Sequence, residues 1–266
     1  MMEIDHSSSD HILELIFEKL TTNGCSLKYS QEESLSYYIT SLIKSNDYSF
    51  SHKKASMFAS ASMEMWQRAV HSFLCSVAIT EQSRMWASVA GYYASHYVMR
   101  ACAHAFGFYK SFTARKSLKL AITRGHFELQ TIASEGEHSF YWNVVSEHHY
   151  FRSNPLFKKN SERNPKSDSS HRNYANYIDH LDHFTLLKLT DLQKIEKAVE
   201  IISSSPRYSV TEICKDKSPE LPELINVQIL AYQRIVSFRD FLTKRIPNNR
   251  FWEIYKEPIW CKGIID

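Results

Sequence analysis

Between residues 52 and 108 the chain contains one short polar break, and that break decides much of what it can fold into. From residue 52 to 79, Ala55, Phe58, Ala59, Ser62, Met65, Trp66, Ala69, Phe73 and Val77 recur at three- and four-residue steps, the period of an apolar helical stripe. From residue 84 to 108, Trp86, Ala90, Tyr93, Tyr97, Ala101, Ala105 and Phe108 do the same. Residues 81–84 are the interruption, and a connection that short makes neighbouring helices antiparallel. Facing residue numbers should then sum to roughly 165, within the few residues by which helix boundaries drift. Ala87, Ser88, Gly91, Ala94, Ser95, Ala103 and Gly107 keep the second helix thin, so a neighbour can come close.

The same pair of helices carries a polar seam. His96, Arg100 and His104 follow one another at four-residue steps and stack on one side, as Glu64, Arg68 and His71 share a side of the preceding helix. The facing rule puts Glu64 opposite Arg100 and Arg68 opposite His96. Two readings fit. In one, Glu64 and Arg100 form a structural ion pair and the histidines fill hydrogen-bond slots. In the other, the helices splay into a cleft where Arg68 and Arg100 hold a phosphate and a histidine acts as acid or base.

The fold class expected is mainly α: a helical bundle around this long antiparallel hairpin (residues 51–110), with a small antiparallel β insertion. Residues 1–50 form an N-terminal helical cover. Its first helix is capped by Ser9 or Asp10 and stopped at Asn23-Gly24, and its second opens on the capping box Ser30-Gln31-Glu32-Glu33. In residues 115–146, Leu118, Leu120 and Ile122 alternate with polar neighbours, Arg124-Gly125 interrupts, and Phe127 and Leu129 resume the two-residue period of a hairpin. Residues 139–145 offer a third strand. Residues 152–170 read as a polar linker. Residues 171–246 hold the helices that complete the bundle, and residues 247–266 form an aromatic tail with Trp252, Tyr255 and Trp260.

Composition removes several functions. The six glycines are too scattered for any phosphate-cradling loop, so no nucleotide cofactor is expected. The five cysteines are odd in number and never in a CxxC pair, which favours reduced thiols in a cytoplasmic setting. None of them has a base nearby in sequence. The first ten residues lack the basic start and apolar run of a leader, and no apolar stretch is long enough to span a bilayer. A net charge of +3 does not by itself announce nucleic acid. Residues 152–172 nevertheless carry six basic side chains against two acids, with Lys158, Lys159, Arg163 and Lys166 the candidates for phosphate contacts.

Seven of the thirteen histidines lie between residues 126 and 183. His180 and His183, flanked by Asp179 and Asp182, could join His148 or His149 around zinc or manganese. No ligand spacing such as HExxH accompanies them, so they are read as polar fillers beside tyrosines, with no metal.

The second hairpin helix, through Gly91-Tyr92-Tyr93-Ala94-Ser95-His96-Tyr97-Val98-Met99-Arg100-Ala101, resembles the paired helices of the HEPN superfamily. Members carry on a later helix an Arg, often followed by Asn, and then a His with four to six residues intervening. The nearest counterpart here is Arg172-Asn173 with His180, separated by seven residues. On a helix that spacing leaves the two roughly 80° apart and about 12 Å along the axis. The resemblance implies metal-independent RNA cleavage without a cofactor, by a toxin or antiviral effector that works as a homodimer or with a protein partner. Arg172 would neutralise the scissile phosphate, Asn173 orient an oxygen, and His180 move the proton. The rival expectation is a non-catalytic helical scaffold that binds a protein partner or nucleic acid.

Overall fold

In a computed structural model of the chain, the described residues are 9–23, 31–81, 83–133, 136–157, 196, 199–200 and 223–246. They are mostly helical, with one small antiparallel sheet. The elements are α1 (Ser9–Asn23), α2 (Gln31–Ser45), β1 (Ser49–Phe50), α3 (Ser56–Ala78), α4 (Arg84–Ala105), β2 (Phe108–Lys110), β3 (Ser117–Thr123), β4 (His126–Ile132), α5 (Glu137–Glu147) and α6 (Glu223–Arg245). Single 3-10 turns occupy His52–Lys54 and Pro155–Phe157. No helix among the described residues is long and apolar enough to cross a membrane.

α3 and α4 run against each other in opposite directions. The Ser62 hydroxyl donates to the Ala101 carbonyl at 2.7 Å, and the Ser76 hydroxyl to the Ala87 carbonyl at 2.6 Å. Both pairs sum to 163, close to the expected register. Serine and alanine make this possible, because a short side chain lets one helix reach the backbone of the other. Ser83 opens α4 in an extended conformation, and its hydroxyl accepts the Trp86 N–H, which satisfies one of the free amides of the first turn.

α6 lies on the pair. The Trp66 indole donates to the Ile235 carbonyl at 3.2 Å, and Gln228 donates to both Ser76 and Thr80. A Cβ on Gly91 would stand 2.8 Å from Val227 Cγ1, so the thinness of α4 is what admits α6 here. α1 and α2 both pack on α3, burying Ile12, Leu13, Ile16 and Phe17, and Leu35, Ile39 and Leu42.

The sheet has the order β1-β4-β3-β2 and is antiparallel throughout. Thr123 pairs with His126 across Arg124 and Gly125, which both have positive φ, as a tight two-residue turn requires. The hairpin is therefore where the two-residue period put it. It is not self-contained, however. β1 precedes α3 and β2 follows α4, so the sheet draws a strand from each end of the helical pair. Gly107 makes the turn into β2 at φ +78°, with its N–H on the His104 carbonyl and its own carbonyl accepting from Leu120.

One element departs from expectation. Residues 139–145, read as a strand, lie within α5. Phe140, Tyr141, Val144 and Val145 are all buried, and their spacing suits one face of a helix as well as a strand. In a run this short the β-branched and aromatic residues tipped the reading, while packing against α4 decided the outcome.

Candidate functional site

The seam is present, but its centre is a residue assigned to the N-terminal cover. The first amides of α2 have no partner within their own helix and need an acceptor. Glu64 of α3 supplies it, with one carboxylate oxygen receiving the N–H of Gln31 at 2.6 Å and of Glu32 at 2.8 Å. Its other oxygen takes two hydrogen bonds from Arg68, one turn along the same helix. Arg68, expected across from His96, thus turns to Glu64. Ser30, the first residue of the expected capping box, lies outside the described residues.

Held in this way, α2 projects the Glu32 carboxylate onto α4. One oxygen meets the Arg100 guanidinium, and the other stands 2.9 Å from Nε2 of His104. Glu32 thus bonds to both members of the expected Glu64–Arg100 pair, its amide to Glu64 and its carboxylate to Arg100. His104 is fully buried, and its Nδ1 lies 2.9 Å from the Phe108 carbonyl. A carbonyl can only accept, so Nδ1 carries a proton. The other ring nitrogen faces the Glu32 carboxylate. Burial alone would raise the Glu32 pKa, but the charges of His104 and Arg100 outweigh it and hold the carboxyl at about 2. Aromatic rings line the site: Tyr109 stacks on His104, and Tyr141 sets its edge to His104 while lying 5.4 Å beneath the Arg100 guanidinium.

His96, although stacked with Arg100 and His104 along α4, faces a different neighbourhood. It lies 4.0 Å from the His138 ring of α5, and the Tyr92 hydroxyl meets His138 Nδ1 at 3.2 Å. Tyr141, 6.1 Å from His96, stands between this aromatic group and the Glu32 site.

Sequence reasoning missed Glu32 because the capping box had already given an acid in that first turn a role. It also missed a base beside a cysteine. Cys75 Sγ lies 3.6 Å from His71 Nε2, one helical turn away. Burial pushes that thiol up to about 12 and pushes Cys102 upward as well, so neither supplies a thiolate near neutrality.

Arg172, Asn173 and His180, and with them Lys158, Lys159, Arg163 and Lys166, lie outside the described residues. His183 and the aromatic tail do too. His148 is buried and stacks on Phe106 at 3.7 Å, the packing role expected of a filler. Among the described residues no group of three or more His, Cys, Asp or Glu side chains is placed to hold a metal ion.

Comparison with protein-family models, with curated proteins and with solved structures found no match to the chain.

Proposed function

We propose that this protein acts by binding RNA, and that its helices form a bundle around the α3–α4 hairpin serving as scaffold and not as a catalytic cleft. The observation that carries this reading is the occupancy of the seam. Arg100, which the sequence offered with Arg68 to a phosphate, already holds the Glu32 carboxylate, and so does His104. A phosphate entering there would have to displace a group that stays ionised above a pH of about 2. Contact with RNA then falls to Lys158, Lys159, Arg163 and Lys166, within a stretch of six basic residues against two acids. A protein partner or a second copy of the chain is the natural setting for such a scaffold.

A second reading is favoured by Arg172-Asn173 followed by His180. It is metal-independent RNA cleavage by a HEPN-like effector or toxin of a bacterial defence system. In it Arg172 binds the scissile phosphate, Asn173 orients an oxygen, and His180 moves a proton at the 2′-hydroxyl or the leaving oxygen.

One experiment separates them. The purified full chain is incubated with labelled single-stranded RNA while binding and cleavage are followed together. Binding without cleavage, weakened when Lys158, Lys159, Arg163 and Lys166 are changed to Gln, supports the scaffold. Cleavage abolished by Arg172→Ala and by His180→Ala supports the effector. RNA neither bound nor cut overturns both.

A further inference from the structure

Tyr37 and Phe112 are the large apolar side chains left exposed among the described residues, at 80% and 81%. Their elements meet. α2 buries Leu35, Ile39 and Leu42 and turns Tyr37 outward, while Phe112 sits in the loop between β2 and β3. Thr40 and Thr113 touch through their hydroxyls at 3.5 Å, one turn from Tyr37 and one residue from Phe112. The loop is fixed, not slack. Ser111 N–H donates to the Lys116 carbonyl, Ala114 N–H donates to the Ser111 hydroxyl, and Arg115 adopts φ 52°. Phe112 is therefore held out in water by a built loop.

Cationic side chains lie on the same elements and the segments beside them. Lys116 donates to the Tyr48 hydroxyl at 2.7 Å, and the Lys54 ammonium sits 4.0 Å over the ring of Tyr38, next to Tyr37 in sequence. Lys44, Lys53 and Arg115 are exposed. Across residues 31–54 and 108–116 the exposed acids are Glu33, one turn before Tyr37, and Asp47, whose carboxylate accepts the Ser49 N–H.

We propose that the outer face of α2 and the β2–β3 loop form a binding surface for single-stranded nucleic acid. Tyr37 and Phe112 are the stacking platforms, and Lys44, Lys53, Lys54 and Arg115 hold the phosphates. Exposed rings interleaved with cations fit a strand whose bases are unpaired, because every base offers a π-face and a duplex hides it. The inference shares a ligand class with the proposed function but none of its residues, so the two can fail separately.

The test measures fluorescence anisotropy of a labelled oligouridylate of about 15 nucleotides, long enough for one such surface. The titrant is the full chain, with a duplex of equal length as competitor. Tyr37→Ala with Phe112→Ala should weaken binding about tenfold, and the duplex should compete poorly. Lys44→Gln with Arg115→Gln should lower the slope of log affinity against log salt by about 1 to 1.5. All four side chains face solvent, so the thermal midpoint should hold and serves as the check on folding. Unchanged affinity in the aromatic variant overturns the proposal, as does loss of binding only when Lys158, Lys159, Arg163 and Lys166 are changed. Binding to anionic phospholipid vesicles but not to the oligonucleotide overturns it too.

Discussion

α4 meets α3 on one face and α2 on another, and different forces hold the two contacts. Against α3 the surface is small and nearly uncharged: Ala94, Ala101 and Ala105 are buried, and the polar links run from serine hydroxyls to backbone carbonyls. Against α2 the link is ionic, with one carboxylate shared by a guanidinium and an imidazole. The first kind of contact needs only that both helices be thin. The second needs a third segment, 68 residues away in the chain, to deliver a charge to one point. A close approach of backbones therefore tolerates many substitutions of similar size, whereas the ionic contact depends on each of its members.

The contrast can be broken most directly at Glu32. Glu32→Ala leaves the Arg100 guanidinium and the buried His104 ring without their shared acceptor and should cost about 3 to 5 kcal/mol in chemical denaturation. A cost below 1 kcal/mol would mean that the ionic face is no more demanding than the apolar one. The same carboxylate sharpens the contrast through pH. Its folded pKa lies below its unfolded one, so the stability it contributes is present above pH 4.5 and is lost as pH falls toward about 2. Glu32→Gln should flatten that acid limb, read as denaturation midpoints across the window, by up to about 3 kcal/mol.

On the apolar side the expected effects are smaller. Gly91→Ala places a methyl group 2.8 Å from Val227 and should destabilise by about 1 to 3 kcal/mol, with much of the loss restored by adding Val227→Ala. Absence of that rescue in a double-mutant cycle would detach α6 from the close approach at Gly91. Smallest of all, Ser62→Ala removes one hydroxyl from the Ala101 carbonyl, which keeps its helical partner, and should cost about 1 kcal/mol.

The same division explains what could be read from residues alone. The antiparallel register of α3 and α4 follows from a short polar break and a count along each helix, and both are local. The β3–β4 hairpin was legible because Arg124-Gly125 marks a turn between two alternating runs. α5 was not, since seven residues of mixed aromatic and β-branched character carry either period. β1 and β2, at two and three residues, are too short to carry any period. Glu32 was hidden by a sufficient local explanation, and its true partners are set by tertiary placement. The surface at Tyr37 and Phe112 gave no signal either, because a tyrosine on an amphipathic helix and a phenylalanine near a strand look like core residues until exposure is known.

The sheet drawing one strand from each end of the helical pair has a kinetic meaning. Ser49 pairs with Glu128, 79 positions later, and the whole of α3, α4, β2 and β3 lies between them. Closing so wide a loop is entropically slow unless the enclosed segment has already collapsed. Loop-closure entropy therefore predicts that the helices zip first and the outer strand docks last. In hydrogen exchange, the Leu129 amide that donates to the Tyr48 carbonyl should lose protection earlier than the amides in the middle of α4.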